Sequence, residues 1–454
     1  MHAQDTSPDS GAEDSGYRQE LERSLSLRHL LVYGMVFLVP IAPMAVFGFV
    51  SRDSYGMVPL VYLVGVVAML FTALSYKQLS GEFPLAGSVY SYVRRGLHPY
   101  LGFIAGWMIL ADYLLLPALA YLLSATWLHG LIPGIPAFVW VFVFAILNTV
   151  TNIFGIRFQA RSNFVLLGLE LLVLAIFIGV AIDFVFIQGH GAGGWSITPW
   201  FQPAHFNWSF VAAATSVAVL SFLGFDAIST LAEEVKNPRK TVGNATVLSL
   251  LLLGGIFMFE TYIAALAHPD YTTLDEATAF FQIGREIGGQ SLYALLIIVN
   301  VIAVGLANSL AAQSAISRVL YSMGRDRILP YSAFLSRINP RFKTPVNAIV
   351  LVSVLSVVLA LTVSEETLIT LVNFGALTAF MLLNITVFVY FYLKKRRHRG
   401  VFRYLLFPLA GLVIVAFVWS GFSRVTFAFG GAWLLVGLIL GAFKGRRAAL
   451  FEGL

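Results

Sequence analysis

Twelve stretches of mostly apolar residues, most of them about 18 to 25 residues long, run from Leu30 to Phe443 and take up almost the whole chain. A helix rises about 1.5 Å per residue, so about 20 apolar residues are needed to cross roughly 30 Å of hydrocarbon. The chain is 58% hydrophobic and 11% charged, against roughly 25% charged residues in a typical soluble domain. Lipid must therefore be the main solvent of this chain. Because the apolar stretches take up almost its whole length, no room is left for a soluble catalytic domain.

The predicted spans are numbered in chain order, and polar loops separate them. They lie at residues 30–51, 57–76, 98–127, 135–154, 163–187, 208–232, 244–267, 291–316, 345–363, 367–392, 404–421 and 426–443. The preceding segment, 1–27, is rich in Ser, Asp, Glu and Gly and is expected to be a disordered tail. It lacks the short apolar stretch and cleavage site of a cleaved signal peptide.

The positions of the basic residues explain the formal net charge of +6. When the loops are assigned alternately to the two sides of the membrane, all but three of the 29 Lys and Arg residues share the side of both termini; the exceptions are Arg52, Arg285 and Arg424. This positive-inside pattern predicts a multi-pass protein of the cytoplasmic membrane with both termini in the cytoplasm. A nucleic-acid partner is not expected. Because the chain has no cysteine, disulfides and thiolate metal sites are excluded, and no metal site is expected.

Two spans carry residues that interrupt a helix near the middle of the membrane. In span 1, Pro40 and Pro43 each lack a backbone donor and clash with the preceding turn. In span 6, Gly224 and Asp226 occupy a similar depth, five spans later. Interruptions at corresponding positions of two five-span halves indicate an inverted repeat with a binding site between two broken helices. A carboxylate at that depth favours a solvated cavity that binds a ligand.

Three motifs carry a family resemblance. They are residues 81–92 (GEFPLAGSVYSY) with 99–107 (PYLGFIAGW), residues 222–226 (FLGFD) with 232–239 (AEEVKNPR), and residues 317–330 (SRVLYSMGRDRILP) with 343–345 (KTP). In sequence and order they resemble loop 2–3, span 6 and loop 8–9 of the amino acid–polyamine–organocation permeases. The resemblance covers essentially all of the chain except the N-terminal tail.

This resemblance implies an all-α polytopic membrane protein with the fold of the bacterial leucine transporter. Residues 28–393 would form a ten-helix transport core, a five-plus-five inverted repeat in which spans 1 and 6 are broken. Residues 394–454 would add spans 11 and 12 and a cytoplasmic C-terminus.

Residues 111–117 (ADYLLLP) and the proline-containing break of span 1 most resemble the putrescine-importer branch of the family. Family members that carry amino acids hold the substrate carboxylate on backbone N–H groups of a glycine-rich break in span 1, which is a helix-terminus anion site. Here Pro40 and Pro43 have no N–H, and no glycine lies between Gly34 and Gly48. The anion site is therefore expected to be degraded.

Four carboxylates, Asp112, Glu170, Asp226 and Glu260, lie in the interior of predicted spans, whereas no Lys or Arg does. An unpaired ionised carboxylate in lipid costs roughly several kcal/mol, so each must be protonated or matched to a bound cation. A dicationic diamine would supply two such partners. An amino acid would need one anionic and one cationic subsite, and only the cationic subsite is evident.

The expected substrate site lies between the two interruptions and span 3. Its residues are Val39, Pro40, Ile41, Ala42, Asp112, Tyr113, Phe222, Gly224, Phe225 and Asp226. Ring faces attract an ammonium group by about 0.5 to 2 kcal/mol, and Tyr33, Phe37 and Phe374 are further candidate walls. The alternative for Asp226 is to cap the second half of span 6, and the alternative for Asp112 is a hydrogen bond to a polar residue of a neighbouring span.

Glu170 lies in span 5, where the resemblance places the lysine whose ammonium replaces a bound sodium ion in many proton-coupled relatives. A carboxylate departs from that pattern. A buried glutamate can exchange a proton near neutral pH, so Glu170 is a candidate for proton coupling. A direct ammonium contact, a sodium ligand and a structural role remain open. Glu260 is less informative, because its position in span 7 allows it to face the periphery beside Thr261.

The sequence therefore predicts a secondary active transporter that imports a small cationic amine such as putrescine by alternating access, coupled to a proton or sodium ion and without a cofactor. The alternative within the family is a neutral or cationic amino acid permease, working as a symporter or exchanger. An enzyme is not expected, because all eight histidines fall in tails, loops or span ends. A channel or a non-transporting sensor would share the same spans. The exact substrate, the coupling ion and the oligomeric state do not follow from the residues.

Overall fold

The structure, a computed structural model, describes residues 25–84, 88–154, 159–325 and 331–451, and in these ranges all side chains except those of 159–163, 233, 322–325 and 443–451. Nearly all of the described chain is helical and none of it is β-strand, which confirms the all-α class. Residues 1–24 of the expected tail, 85–87 of the first motif and 326–330 of the third lie outside the described residues.

The N-terminal tail ends earlier than expected. The first helix begins at Leu27, and an isolated parallel bridge joins Leu25 to Val235 at the end of span 6. The Leu25 N–H donates to the carbonyl of Glu234 at 3.0 Å, and the Lys236 N–H donates to the Leu25 carbonyl at 3.1 Å. Residues 25–27 therefore do not belong to a disordered tail, because backbone hydrogen bonds hold them against span 6.

Both interrupted spans consist of two helical pieces. Span 1a is Leu27–Leu38 and span 1b is Ala42–Asp53. Span 6a is the α-helix Trp208–Ala218 with the 3-10 turn Val219–Phe222, and span 6b is the 3-10 helix Phe225–Glu234.

The other helices take the numbers of the predicted spans they cover. They are Val58–Glu82 (2), Pro99–Leu131 (3), Ala137–Phe154 (4), Gln159–Ile182 with the π-helical Asp183–Ile187 (5), Pro238–Ala267 (7), Ala279–Asn300 with the π-helical Val301–Asn308 and Ser309–Arg325 (8), Val346–Thr362 (9), Glu365–Val387 with the π-helical Phe388–Lys394 (10), the π-helical Phe402–Leu406 with Phe407–Trp419 (11), and Arg424–Phe451 (12). Loop helices are Ser88–Gly96, Tyr271–Thr273, Ser332–Leu335 and His398–Gly400.

Within the described residues, ten helices are long and apolar enough to cross a membrane, and the two halves of span 1, bent by 46°, make an eleventh. Val346–Thr362, at the ninth predicted segment, is apolar but only 17 residues long. At Gly289 the backbone takes φ 69° and ψ −165°, a conformation suited to glycine, and this kink separates residues 279–288 from the rest of span 8. The chain is therefore a polytopic membrane protein.

The two interrupted spans lie at the centre of the helix bundle. Span 1b packs on span 6a, span 1a packs on spans 6b and 7, span 2 packs along span 7, and span 3 along span 10. Span 6 is the most completely buried of the candidate membrane helices, and spans 4, 11 and 12 are the least buried. Their exposed apolar side chains, such as Phe138 and Phe429, suit contact with lipid.

Candidate functional site

The interruption of span 1 is confirmed. Span 1a ends at Leu38 and span 1b begins at Ala42, so Val39, Pro40 and Ile41 lie outside both helices. Val39 has φ 53° and ψ 102°, a conformation that a β-branched residue rarely adopts. Backbone strain of this kind costs on the order of 1–3 kcal/mol and persists only where the surrounding structure imposes it.

The backbone N–H groups at this break are mostly used or missing. The N–H of Ala42 donates to the carbonyl of Val39 at 2.9 Å, and the N–H of Met44 donates to the carbonyl of Ile41 at 3.1 Å. Both prolines of the segment lack an N–H. The start of span 1b therefore offers little to an anion, since anion binding at a helix start depends on free N–H groups.

The interruption of span 6 is confirmed at Leu223 and Gly224. Leu223 is extended, and Gly224 has φ 110° and ψ −16°, which glycine adopts readily and other residues do not. A Cβ atom on Gly224 would lie 2.9 Å from the carbonyl oxygen of Phe37. The two interrupted spans therefore touch at this glycine.

Asp226 lies in the first turn of span 6b and is 7% exposed. Its carboxylate lies near the backbone N–H groups of Gly224, Ala227 and its own residue, and near the hydroxyl of Ser88. A carboxylate at the start of a helix satisfies donors that would otherwise lack partners and is stabilised by the helix dipole. Asp226 thus occupies the positive end of span 6b, as expected of a capping residue.

Asp112 and Tyr113 of span 3 lie beside Asp226. Both side chains are half-buried. Asp112 is close enough to Asp226 for the two carboxylates to repel each other when both are ionised, and Tyr113 is within electrostatic reach of both and of Tyr33. Among the described residues, neither carboxylate forms an ion pair with Lys or Arg. The structure therefore brings these three predicted site residues together at the break of span 6.

Phe222 and Phe225 have no exposed surface and serve helix packing in this structure. The ring centroid of Phe222 lies 5.8 Å from that of Tyr62 and 5.4 Å from that of Phe257. Phe225 packs against Phe380 at 5.3 Å. Neither ring forms an open wall of a cavity here.

The other aromatic candidates divide into two groups. Tyr33 and Phe37 of span 1a are half-buried and lie 4.7 Å apart between ring centroids, so with Tyr113 they expose ring surface beside the carboxylates. Phe374 is 2% exposed and packs at 5.4 Å against Trp419 of span 11. Phe374 therefore belongs to the packing of the C-terminal spans.

The two sides of the site differ in access. Every residue of span 1b from Pro43 to Ser51 is buried, so the site is closed on the side where span 1b ends. On the opposite side, Tyr33 and Phe37 of span 1a are partly exposed, and Thr230 of span 6b is exposed. Exposed surface next to the carboxylates therefore lies on the side of spans 1a and 6b.

Ion pairs at Arg52 hold the closed side together. Arg52 pairs with Asp53 at 2.9 Å, with Glu276 in the segment before span 8, and with Glu366 of span 10 at 3.3 Å. These contacts join span 1b to two other parts of the bundle. Because the guanidinium side chain is 39% exposed, each pair is worth little alone, and the network matters more than any single pair.

Glu170 is 1% exposed in span 5, which packs against span 1a and span 7. Its Oε2 atom has no hydrogen-bond partner in the described part of the chain, and no interaction with Asp112 or Asp226 is found there. The structure does not bring Glu170 to the carboxylate pair, and its coupling role stays a prediction.

Glu260 does not face the periphery, which its position in the sequence had left open. Its side chain is 0% exposed, and Thr261 donates its hydroxyl to the carbonyl of Phe257 at 2.7 Å rather than to the carboxylate. Protein rather than lipid surrounds Glu260.

Asn373 of span 10 is a residue that sequence reasoning missed. Its amide donates to the carbonyls of Ser216 and Val217 at 2.7 and 3.1 Å, where span 6a leaves the α-helical form. These carbonyls lose their partners at the break, so the amide satisfies them. The sequence signal for this contact was an asparagine inside an apolar span, because such an asparagine usually hydrogen-bonds to another helix.

The sequence matches the profile of the amino acid permease family over residues 29–436. The chain belongs to this family. It is therefore a transporter and not an enzyme, and the predicted family is confirmed. The low-affinity putrescine importer PlaP of Escherichia coli (strain K12) is 34% identical to this permease over 430 residues, which cover 93% of each chain.

Other relatives of this permease have different names. The branched-chain amino acid permease BcaP of Bacillus subtilis (strain 168) is 29% identical over 420 residues, covering 84% of this chain and 83% of the relative. Cationic amino acid transporter 4 of Mus musculus is 27% identical over 405 residues, covering 83% of this chain and 61% of the relative. The family therefore includes proteins named for a polyamine and for amino acids.

Proposed function

We propose that this permease imports a small cationic amine such as putrescine across the cytoplasmic membrane, by alternating access driven by a proton or sodium gradient. One observation carries the proposal. Asp112 and Asp226 lie together at the break of span 6, and in the described part of the chain neither has a Lys or Arg partner. Two such carboxylates match the two ammonium groups of a diamine.

The physical argument is one of charge compensation. An ionised carboxylate removed from water without a partner costs several kcal/mol by order of magnitude, so a bound cation stabilises it strongly. The exposed ring surface of Tyr33, Phe37 and Tyr113 adds cation–π attraction of about 0.5 to 2 kcal/mol. A diamine between these groups would lose its water but keep compensating charges at both ends.

The backbone N–H groups at the two breaks offer few hydrogen bonds to the α-carboxylate of an amino acid substrate. At the break of span 1, Ala42 and Met44 use their N–H groups in local turns. At the start of span 6b, the Ala227 N–H donates to the Gly224 carbonyl at 3.1 Å, and the carboxylate of Asp226 lies near the N–H groups. An amino acid substrate would therefore have to displace Asp226 or do without a backbone anion site.

An amino acid permease is the second candidate. The relatives named branched-chain amino acid permease and cationic amino acid transporter support it, at 29% and 27% identity. A cationic amino acid would use the same two carboxylates for its side-chain ammonium and α-amino groups. Its carboxylate would then have to lie near Ile41, whose N–H is not used in these turns.

The wider arrangement of the proposed transporter has twelve spans, with ten in a five-plus-five inverted repeat and spans 11 and 12 at the periphery. Both termini lie in the cytoplasm, because the basic loops share their side. In that orientation Arg52 is extracellular and the exposed surface of spans 1a and 6b faces the cytoplasm, which supports an inward-facing conformation. Glu170 is a candidate for coupling to the driving ion.

Uptake by purified protein in proteoliposomes tests the proposal. Labelled putrescine is offered with imposed pH or sodium gradients, and a panel of unlabelled amines and amino acids competes. We expect saturable putrescine uptake that other diamines inhibit. If amino acids with a free α-carboxylate displace the substrate while putrescine does not, the permease carries amino acids and the amine proposal is wrong.

A further inference from the structure

Glu260 is a fully buried carboxylate that the proposed substrate site does not use. It lies in span 7 and is 0% exposed. Neither Oε1 nor Oε2 has a hydrogen-bond partner among the described residues. A carboxylate in this state is unusual, since nearly all buried polar side-chain atoms in proteins find a partner.

The surroundings of Glu260 require it to be neutral in this conformation. The helices packed against span 7 carry other titratable groups, none of which is found to interact electrostatically with Glu260 in the described part of the chain. These groups are Arg28, His29, Tyr33, Arg52, Asp53, Lys77, Glu82, Glu170, Asp183, Asp226, Glu234, Arg285, Glu286 and Tyr293. Span 2 contributes Tyr62, which is within electrostatic reach, whereas its Tyr76 interacts with Asp226 instead. Without a cation nearby, an ionised Glu260 would be strongly unfavourable, so it carries a proton.

Tyr62 connects Glu260 to the break of span 6. The Tyr62 hydroxyl and the Ser221 hydroxyl form a hydrogen bond of 2.9 Å, and Ser221 is in the 3-10 turn that precedes the break. The Tyr62 ring also packs on Phe222 at 5.8 Å and on Phe257 at 5.9 Å, and Phe257 lies one turn before Glu260 in span 7. Spans 2, 6 and 7 therefore meet at one tyrosine.

We propose that Glu260 is a proton-exchanging group whose protonation is coupled to the break of span 6 through Tyr62 and Ser221. In the present conformation Glu260 holds the proton and Tyr62 bonds to Ser221. When water reaches Glu260 in another conformation, the carboxyl O–H bond breaks, a water molecule takes the proton as hydronium, and the carboxylate keeps the electron pair. Tyr62 then donates its hydroxyl to the carboxylate and leaves Ser221.

This exchange changes a hydrogen bond directly beside the interrupted segment of span 6. Loss of the proton favours arrangements in which Tyr62 faces span 7, and binding of the proton favours the arrangement seen here. A ligand that binds two conformations unequally shifts the equilibrium between them, and the proton is such a ligand. The link to transport rests on the proposed function, whereas proton exchange at Glu260 does not.

Infrared spectroscopy tests proton exchange without any transport assay. Difference spectra of the purified protein are recorded between acidic and alkaline pH for wild type, Glu260→Gln, Tyr62→Phe and the matched control Glu286→Gln, which alters an exposed carboxylate. We expect a titrating carboxylic-acid band that Glu260→Gln removes, Glu286→Gln keeps, and Tyr62→Phe shifts in its pH midpoint. A wild-type spectrum without such a band, or one that Glu260→Gln leaves unchanged, overturns the proposal.

Transport assays then test the coupling. Substrate exchange between compartments of equal pH needs no net proton movement, whereas accumulation driven by a pH gradient does. We expect Glu260→Gln to keep exchange and to lose gradient-driven accumulation by at least about fivefold, the lower end of typical coupling factors, while Glu286→Gln keeps both. Full accumulation by Glu260→Gln overturns the coupling. If wild type exchanges neither amines nor amino acids, the proposed function fails, and the infrared result still decides proton exchange.

Discussion

Gly224 of span 6 lies so close to Phe37 of span 1 that a Cβ atom on the glycine would stand 2.9 Å from the Phe37 carbonyl oxygen. The contact is between two backbones, so neither side can move away by a change of rotamer. It lies two residues from Asp226 and two residues from Val39, at the point where both spans are interrupted. Movement of either half-span must therefore pass through this contact.

Replacing Gly224 by alanine should strongly reduce transport while the protein still inserts in the membrane. The added Cβ meets the Phe37 carbonyl, and a residue with a side chain adopts positive φ only at a cost of roughly 1–2 kcal/mol. We expect uptake to fall by about tenfold or more, which corresponds to about 1.4 kcal/mol. The matched control is Gly255→Ala, since a Cβ there has no neighbour within 4 Å. Equal uptake by the two variants would show that the contact is dispensable.

Neutralising either carboxylate of the pair should weaken diamine binding. Asp112→Asn and Asp226→Asn keep the side-chain size but remove the charge that compensates an ammonium group. We expect the Kd for putrescine to rise by about tenfold or more in each variant, as for loss of a charged hydrogen bond worth about 1.5–3 kcal/mol. Asp183→Asn, near the end of span 5, is the control and should bind as wild type does. An unchanged Kd for Asp112→Asn would remove that residue from the site.

Breaking the Arg52 network should open the closed side of the permease. Arg52 lines a cavity of about 490 Å³ together with Ser216, which is 2% exposed. Because the natural sequence has no cysteine, Ser216→Cys gives a single labelling site. We expect a membrane-impermeant maleimide to label Ser216→Cys several times faster when Arg52→Gln is also present, as the ion pairs to Glu276 and Glu366 are lost.

The control for this labelling experiment is Arg285→Gln. Arg285 is exposed and lies over the ring of Tyr293, away from the network. Arg285→Gln should leave the labelling rate of Ser216→Cys unchanged. If Arg52→Gln has no more effect than Arg285→Gln, the Arg52 ion pairs do not hold this side closed.

A second group of ion pairs, on the side of the bundle away from Arg52, has a defined pH dependence. Lys395 and Arg397, just after span 10, pair with Glu82 at the end of span 2. The hydrogen bond to Glu82 raises the pKa of Lys395 above its ordinary value near 10.4. Between neutral pH, where Glu82 is ionised, and about pH 10 the stabilisation is therefore fully present, and at alkaline pH it is lost as the pH rises through the folded-state pKa of Lys395.

Melting curves of wild type and Glu82→Gln test the ion pairs of Glu82. Because Lys395 is 38% exposed, the pair is worth at most about 1 kcal/mol, so we expect a Tm only slightly lower in the variant. The difference should be the same at pH 7 and pH 9 and should shrink above the Lys395 pKa to the part that Arg397 contributes. If the difference in Tm disappears between pH 7 and pH 9, a group other than Lys395 is responsible.

The breaks in spans 1 and 6 could be predicted because local rules determine them. Pro40 removes a donor, and Gly224 permits a positive φ that no neighbour could adopt cheaply. Pro43 is different, since it lies in the first turn of span 1b, where proline fits the helix. The sequence could not show that a single proline and its neighbours suffice for the break.

Side-chain directions inside the spans could not be predicted from the sequence. In a soluble helix the polar side shows which face is exposed, but lipid and protein interior are both apolar, so Phe222 or Glu260 gives no such signal. The partners of Arg52 were also hidden, because Glu276 is 224 residues away in the chain. Only the folded bundle brings such residues together.

Equilibrium binding of three related amines to the purified permease tests the central claim most directly. Butylamine has one ammonium group, putrescine has two, and ornithine has two ammonium groups and a carboxylate. If Asp112 and Asp226 hold a diamine, putrescine binds most tightly, and Asp226→Asn brings its affinity down toward that of butylamine. If ornithine binds to wild type more tightly than putrescine does, the site accepts an α-carboxylate, and this result contradicts the account.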